Sequence, residues 1–445
     1  MRKIKQIIRK FIPRFLFSWY YFVWAYLAAL VFRFPSKDMV VIGVTGTDGK
    51  TTTANAIHWI LQSNGIRTGL ISTANFKIGN REWINKTKMT MPGRFSLQRW
   101  IKKMVSHKCK VVVVEVSSEG ISSFRSYGII FDILVFTNLT PEHIEAHGDF
   151  EKYKRAKQKV FASLSKSKRK NLGFAPAVLR KTIIANIDDK YAEDFLRYEA
   201  DQKIGFSNEK SESLFATKII KSSEMEEDKS GIRFLLDVFD NRAKVSSPLL
   251  SAVNVYNLLA ASAVGWVFGL SEEEIKKGLE GFPGVAGRME RITSRKGFDV
   301  IIDYALTPQS LERLYGAVRL LYKGKVVAVY GSCGGGRDKA KRPMMGQVVS
   351  GYVDYSILTN EDPYFEDPYE ITRQIEEGYI KNEKEKGKDY EVIINRDQAI
   401  EKALYMAEKE GDVVVVTGKG SEVGMNIKGK IVPFSDKETV LKYLK

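Results

Sequence analysis

Met39 to Val44 (MVVIGV) is a short β-branched run that passes directly into Thr45-Gly46-Thr47-Asp48-Gly49-Lys50-Thr51-Thr52-Thr53. Apolar residues then recur at helical spacing, at Ile57, Ile60 and Leu61. A strand, a glycine-rich loop and a helix in that order form a phosphate-binding unit. Glycines let backbone N–H groups approach phosphate oxygens, and the helix N-terminus adds partial positive charge. Lys50 is spaced to reach the β/γ-phosphates and the Thr51 hydroxyl to bind magnesium, with Gly46, Thr47, Gly49 and Thr52 completing the cradle. Gly43 and Gly49 enclose five residues, one more than the standard phosphate loop, and a plain glycine turn before a helix is the simpler alternative.

Further strands are expected at Lys110–Val116, at Ile129–Val135 with Phe136, and at Thr182–Asn186. Continuous apolar runs separated by helical stretches imply an α/β fold with a parallel sheet covered on both faces. Ligands bind such sheets beyond the carboxyl ends of the strands. Glu115 ends one strand and His143 follows another, so both point to the rim that carries Lys50. Taken singly each reads as structural, and only the shared position argues for a ligand role.

Phe150 to Leu164 is expected to form a basic amphipathic helix with an apolar stripe of Phe150, Tyr153, Phe161 and Leu164. Lys157 falls on that stripe. Burial disfavours a charged lysine, and a neutral amine can take up carbon dioxide as a carbamate, an anionic oxygen ligand for magnesium. The alternative is a lysine snorkelling from the stripe's edge.

The chain has 445 residues, 44% hydrophobic and 28% charged, a globular balance that excludes disorder, collagen and a polytopic membrane protein. Cys109 and Cys333 form neither a disulfide framework nor a zinc motif, which points to a reducing compartment. The formal charge of +17 calls for an anionic partner, nucleic acid or a lipid surface. Its distribution favours lipid, since residues 1 to 38 hold eight Lys or Arg against one Asp. Within them, residues 1 to 14 carry six basic and no acidic side chains, and Phe15 to Phe32 runs uncharged, half of it aromatic. An aromatic-rich run of that length suits an in-plane or re-entrant anchor better than a helix packed on its own domain or a true span.

The run Glu115 to Phe161 resembles the Mur ligases, most closely the MurE type that adds the third amino acid to the peptidoglycan stem. The likeness continues through Asn186-Ile187-Asp188-Asp189, Asn254 to Ala261, Gly287-Arg288-Met289-Glu290 and Asp303 to Pro308. It ends with Gly334 to Pro343, Gly418-Lys419-Gly420-Ser421-Glu422 and Pro433 to Glu438. The resemblance implies a central ATP-binding domain over residues 39–286 and a Rossmann-like C-terminal amino-acid-binding domain over 287–445. The family's first, uridine-binding domain has no counterpart, and the basic aromatic segment 1–38 stands in its place.

By the same resemblance Lys50 holds ATP phosphates, and magnesium is held by Thr51, Glu115, His143 and a carbamylated Lys157. Asn257 would meet adenine, Arg288 the phosphates and Asp303 the ribose. Thr90, Pro92, Ser117, Ser118 and Arg125 would contact the muropeptide acceptor, and Arg342 and Glu422 the incoming amino acid. The reaction implied is attack of the acceptor carboxylate on the ATP γ-phosphate, followed by aminolysis of the acyl phosphate, with a hinge near Pro283 to Gly287. Departures from the family pattern are Asp48, Glu119, Leu306 and Tyr364, the last standing where diaminopimelate-selecting members carry Arg. Rival readings are a ligase acting on another acceptor such as a polyglutamate chain, an inactive interaction module, and a nucleotide-dependent membrane switch.

Overall fold

The structure, a computed structural model, describes residues 14–140, 148–172, 180–239 and 241–444. Contacts divide it into two compact units, the first holding most of residues 1–283 and the second most of 284–445.

The apolar runs of the first unit make β1 (Val40–Thr45), β2 (Thr68–Ile71), β5 (Val111–Glu115), β6 (Ile133–Phe136), β7 (Thr182–Asn186), β8 (Gln202–Ser207) and β9 (Lys218–Asp228). These seven are parallel in the order β9-β8-β7-β6-β1-β5-β2. Antiparallel strands extend the sheet: β3 (Asn75–Ile78) and β4 (Arg81–Ile84) at one edge, β10 (Gly231–Val238) and β11 (Asn241–Ser247) at the other. Every residue of β1 and β5 is buried, as expected of strands covered on both faces. One face packs Val41, Val112, Val114 and Leu134 with residues of the helices Arg94–Ser106 and Phe150–Lys166 in a single core.

β6 starts later than the sequence suggests, at Ile133, because Asp132 breaks the apolar run before it. Its carboxylate accepts from Val41 N–H at 2.9 Å and from the ammonium groups of Lys170 and Lys181 at 2.6 and 3.1 Å. A buried carboxylate so partnered pins the start of the strand rather than adding to its apolar face.

The N-terminal helix Arg14–Val31 lies against the first unit. Ala25, Ala28 and Ala29 are buried, and the Phe22 ring meets Phe124 and Tyr127 edge-on at 6.0 and 4.9 Å. No helix among the described residues is long and apolar enough to cross a membrane. The run expected to be an anchor is therefore at least half a packing element, because its small residues repeat at helical spacing and admit close approach. Residues 1–13 lie outside the described residues.

The second unit is a six-stranded sheet in the order β12-β13-β17-β14-β15-β16. Its strands are β12 (Glu290–Thr293), β13 (Asp299–Asp303), β14 (Val326–Tyr330), β15 (Tyr355–Leu358), β16 (Tyr390–Val392) and β17 (Val413–Thr417). All neighbours but β12 and β13 are parallel. Asp303 pairs with Thr417 at the carboxyl end, so the segments after β13, β14, β15 and β17 share one rim.

Candidate active site

In the first unit the loop Gly46–Gly49 leaves the carboxyl end of β1 and enters the helix Lys50–Ser63. Gly49 is that helix's N-cap at φ 76°, and no side chain caps it. The first-turn N–H groups are thus left to a ligand or to water. A Cβ on Gly46 would lie 1.9 Å from Thr137 Oγ1, and one on Gly49 2.4 Å from Asn257 Oδ1, so the loop tolerates glycine only. The loop is tied from behind: Thr137 Oγ1 donates to Asp48 O at 2.7 Å, Asp48 N–H to Asn138 Oδ1 at 2.9 Å, and Thr47 Oγ1 lies 3.1 Å from the Tyr153 hydroxyl. Lys50 Nζ folds back onto Thr47 O at 2.5 Å. Thr52 and Thr53 are buried, and Thr53 Oγ1 donates to Asn257 Oδ1 at 2.9 Å while Asn257 Nδ2 donates to Asn254 Oδ1 at 2.8 Å. The Asn257 amide thereby braces the loop helix against the helix Val253–Val267.

Glu115 ends β5 beside that loop, opposite Val44 of β1, and is buried. Its Oε2 accepts from Thr51 Oγ1 at 3.0 Å and Thr73 N–H at 2.7 Å, and its Oε1 from Thr73 Oγ1 at 2.8 Å. Thr73 Oγ1 also lies 3.0 Å from Thr90 Oγ1. One carboxylate and three hydroxyls make an all-oxygen set of the kind that suits a hard cation retaining some of its waters. Among the described residues no three His, Cys, Asp or Glu are grouped to hold a metal, and His143 lies outside the described residues.

Lys157 is buried on the helix Phe150–Lys166, on the same face as Tyr153, Phe161 and Leu164. Its Nζ donates to Gly46 O at 2.5 Å and sits 4.7 Å from the centre of the Tyr153 ring. The side chain thus turns inward to the phosphate loop rather than snorkelling. Pro92 is buried, Ser117 caps the short helix Ser118–Ser122 by accepting from Gly120 N–H, Ser118 is buried in its first turn, and Arg125 donates to Met91 O at 2.8 Å. These place residues 90–92 and 117–125 side by side.

In the second unit Asp303 accepts from Met289 and Ala305 N–H groups, both at 2.7 Å, and burial pushes its carboxyl above the usual range against the pull of Arg288. The Arg288 guanidinium stacks 4.5 Å over the Tyr304 ring. Glu422 accepts from the buried Lys419 at 2.9 Å, which also reaches Asp362 at 3.3 Å. Arg342 is fully buried and commits its fork internally, to Glu366 at 3.1 Å, Gln374 at 2.8 Å and Cys333 O at 3.0 Å. It orders the segment around Gly334–Gly336 rather than facing solvent. Beside it, Glu361 is buried and accepts from Cys333 Sγ at 2.8 Å, and burial raises its carboxyl. Tyr364 takes φ 55° and lays its ring on Gly335.

Sequence reasoning missed Thr73, Tyr153 and Lys419. Thr73 follows β2 at the strand-end rim that singled out Glu115, so the same argument reaches it. Tyr153 reads as one more ring on a stripe, and Lys419 shows its importance only once Asp362 is folded against it.

Comparison with known proteins bears on both units. The Mur ligase middle domain matches residues 44–265, and the Mur ligase glutamate ligase domain residues 287–420. The UDP-N-acetylmuramoyl-L-alanyl-D-glutamate–2,6-diaminopimelate ligase of Halalkalibacterium halodurans is 38% identical over 93% of this chain and 80% of its own. The UDP-N-acetylmuramyl-tripeptide synthetase of a Roseiflexus species is 37% identical over 89% and 76%. Among solved structures, a UDP-N-acetylmuramoyl-L-alanyl-D-glutamate–2,6-diaminopimelate ligase aligns with a TM-score of 0.62 at 27% identity, covering 91% of this chain and 78% of the other. The MurF ligase of Thermotoga maritima, solved with ADP, aligns at 0.65 and 18% identity over 94% and 83%. With a glycine cradle, an oxygen cluster and relatives of this closeness, the chain belongs to the Mur ligases, which are ATP- and magnesium-dependent, ADP-forming ligases.

Proposed function

We propose that the chain adds a diamino acid as the third residue of the peptidoglycan stem, with the carboxylate of a UDP-N-acetylmuramoyl dipeptide or a lipid-linked equivalent as acceptor. The observation that carries the phosphoryl-transfer chemistry is the Glu115–Thr51–Thr73–Thr90 oxygen cluster beside an uncapped helix N-terminus, and the likeness to ligases of the tripeptide step supports the acceptor and the diamino acid. A phosphate-transfer site needs an anion cradle and a hard-cation set together.

In this reading Gly46, Thr47, Gly49, Lys50 and Thr52 bind ATP phosphates, and Lys50 leaves Thr47 O to do so. Thr51 and Glu115 would hold one magnesium ion, and Glu115, His143 and Lys157 a second; the ions would supply positive charge to offset that of the transferring phosphoryl group. Lys157 is carbamylated in the active protein: the amine adds to carbon dioxide with loss of a proton. Its buried Nζ at the loop carbonyl supports that assignment. Asn257, Arg288 and Asp303 serve the nucleotide. Thr90, Pro92, Ser117, Ser118 and Arg125 orient the acceptor so that its carboxylate meets the γ-phosphate in line. The acyl phosphate that results is attacked by the amine of the incoming amino acid, and phosphate leaves. Glu422 binds that amino acid, and Arg342 shapes its pocket through Glu366. Peripheral contact with the inner leaflet of the cytoplasmic membrane belongs to the same reading.

The test is ADP release by the full chain with ATP, magnesium, UDP-N-acetylmuramoyl-L-alanyl-D-glutamate and a panel of amino acids. Release that requires both acceptor and a diamino acid is expected. Release independent of the acceptor, or none with any amino acid, would overturn the assignment.

A further inference from the structure

The N-terminal helix Arg14–Val31 carries two different faces. One is docked: beyond the buried alanines, the Arg94 guanidinium stacks 4.5 Å over the Tyr21 ring and Trp24 meets Phe95 at 5.9 Å. The other runs through Trp19, Tyr20, Val23, Leu27, Leu30 and Val31, spaced as one helical stripe, and it is open to solvent. Trp19 is 64% exposed, Tyr20 56%, Leu30 50% and Val31 63%. No charge interrupts Phe15 to Phe32. A water-facing helix does not ordinarily present so continuous an apolar strip.

We propose that this stripe seats in the headgroup layer of an anionic bilayer, with the helix lying in the plane of the surface. The proposal deepens the peripheral contact above by naming the face and the lipid. Three observations select this occupant. The helix is too short of apolar character to cross a membrane, yet its outer face ends in Trp and Tyr, which prefer the interface. Six of the first fourteen residues are basic and none is acidic, a charge that complements anionic headgroups. That same charge opposes a second copy of the chain, whose own basic segment would be brought alongside.

The docked face adds a functional consequence. Arg94 donates to Ser123 O, and Arg125 to Met91 O, so the loops 90–94 and 117–125 that receive the helix are the ones assigned to the acceptor. Membrane attachment through the outer stripe therefore sets the acceptor loops at the lipid-proximal rim of the first unit.

The test is co-sedimentation of the full chain, without nucleotide or acceptor, with phosphatidylcholine vesicles made with and without phosphatidylglycerol. It is repeated at high salt and with a combined Val23→Ser, Leu27→Ser, Val31→Ser variant whose circular dichroism and ADP release match the parent. Pelleting with the anionic vesicles is expected to weaken by roughly tenfold or more without phosphatidylglycerol, in high salt, and in the variant. No pelleting of the parent would overturn membrane contact altogether. Parent-like pelleting of the variant would overturn the face while leaving contact through the basic residues. Self-association lost in the variant, with no vesicle binding, would assign the stripe to a second copy instead.

Discussion

Replacing Glu115 by Gln separates the fold from the chemistry at the oxygen cluster. The carboxylate accepts three hydrogen bonds, from Thr51 Oγ1, Thr73 N–H and Thr73 Oγ1. In Glu115→Gln the amide oxygen takes the place of Oε2 and keeps two of them. The amide nitrogen faces Thr73 Oγ1, which can accept from it while donating to Thr90. Two bonds change from charge-assisted to neutral, a loss of about 1 kcal/mol each. Burying a neutral amide instead of a charge recovers several kcal/mol of desolvation in principle. Stability is therefore expected to hold or rise slightly, so the melting temperature should not fall. Activity behaves oppositely, because a neutral amide cannot balance a cation or the charge of the transferring phosphoryl group. A loss of about 10²–10³ in kcat is expected. Calorimetry and amino-acid-dependent ADP release on the same sample decide the matter. A variant that melts well below the parent, or turns over within fivefold of it, would refute the reasoning.

Three further outcomes are expected. Lys157→Ala should lower ligation by more than about a hundredfold, and a short-chain carboxylic acid should partly restore it by filling the carbamate's place; parent-like activity would sink that assignment. Tyr364 in place of Arg should make diaminopimelate a poorer substrate than lysine, by roughly 30- to 900-fold for a lost bidentate pair worth on the order of 2–4 kcal/mol; steady-state kinetics giving the reverse order would show that another group, such as Arg337, supplies the charge. His58 is buried, and burial with nearby Lys77 lowers its pKa to about 3 from 6.5. Between those values the unfolded chain binds a proton that the folded chain does not, so stability falls as pH falls, by on the order of 4 kcal/mol at pH 3. Denaturant midpoints of His58→Leu should decline less steeply over that range than those of the parent.

The central sheet was legible because β1, β5 and β7 are uninterrupted apolar runs that only burial on both faces explains. The loop, Glu115 and Lys157 were legible because strand ends and helix stripes follow fixed periods. β6 was less so, since nothing local shows that Asp132 is where the strand starts; that depends on Lys170 and Lys181, which lie far along the chain. Arg342 shows the same limit. The family resemblance marks it as a ligand residue, yet Glu366 and Gln374 claim its fork through a tertiary contact that no local pattern announces. The N-terminal segment admits both an anchor and a packing helix from its composition, and the small residues Ala25, Ala28 and Ala29 mark the face that docks.

The most direct test of the ligase account follows oxygen rather than rate. An acceptor labelled with oxygen-18 in its reacting carboxylate is turned over with ATP, magnesium and the preferred amino acid, and the released phosphate is examined by mass spectrometry. Attack of that carboxylate on the γ-phosphate transfers one labelled oxygen to each phosphate as the amide forms. Singly labelled phosphate in step with amide product is the result expected; unlabelled phosphate would contradict an acyl phosphate and, with it, the assignment of the cluster around Glu115 to its formation.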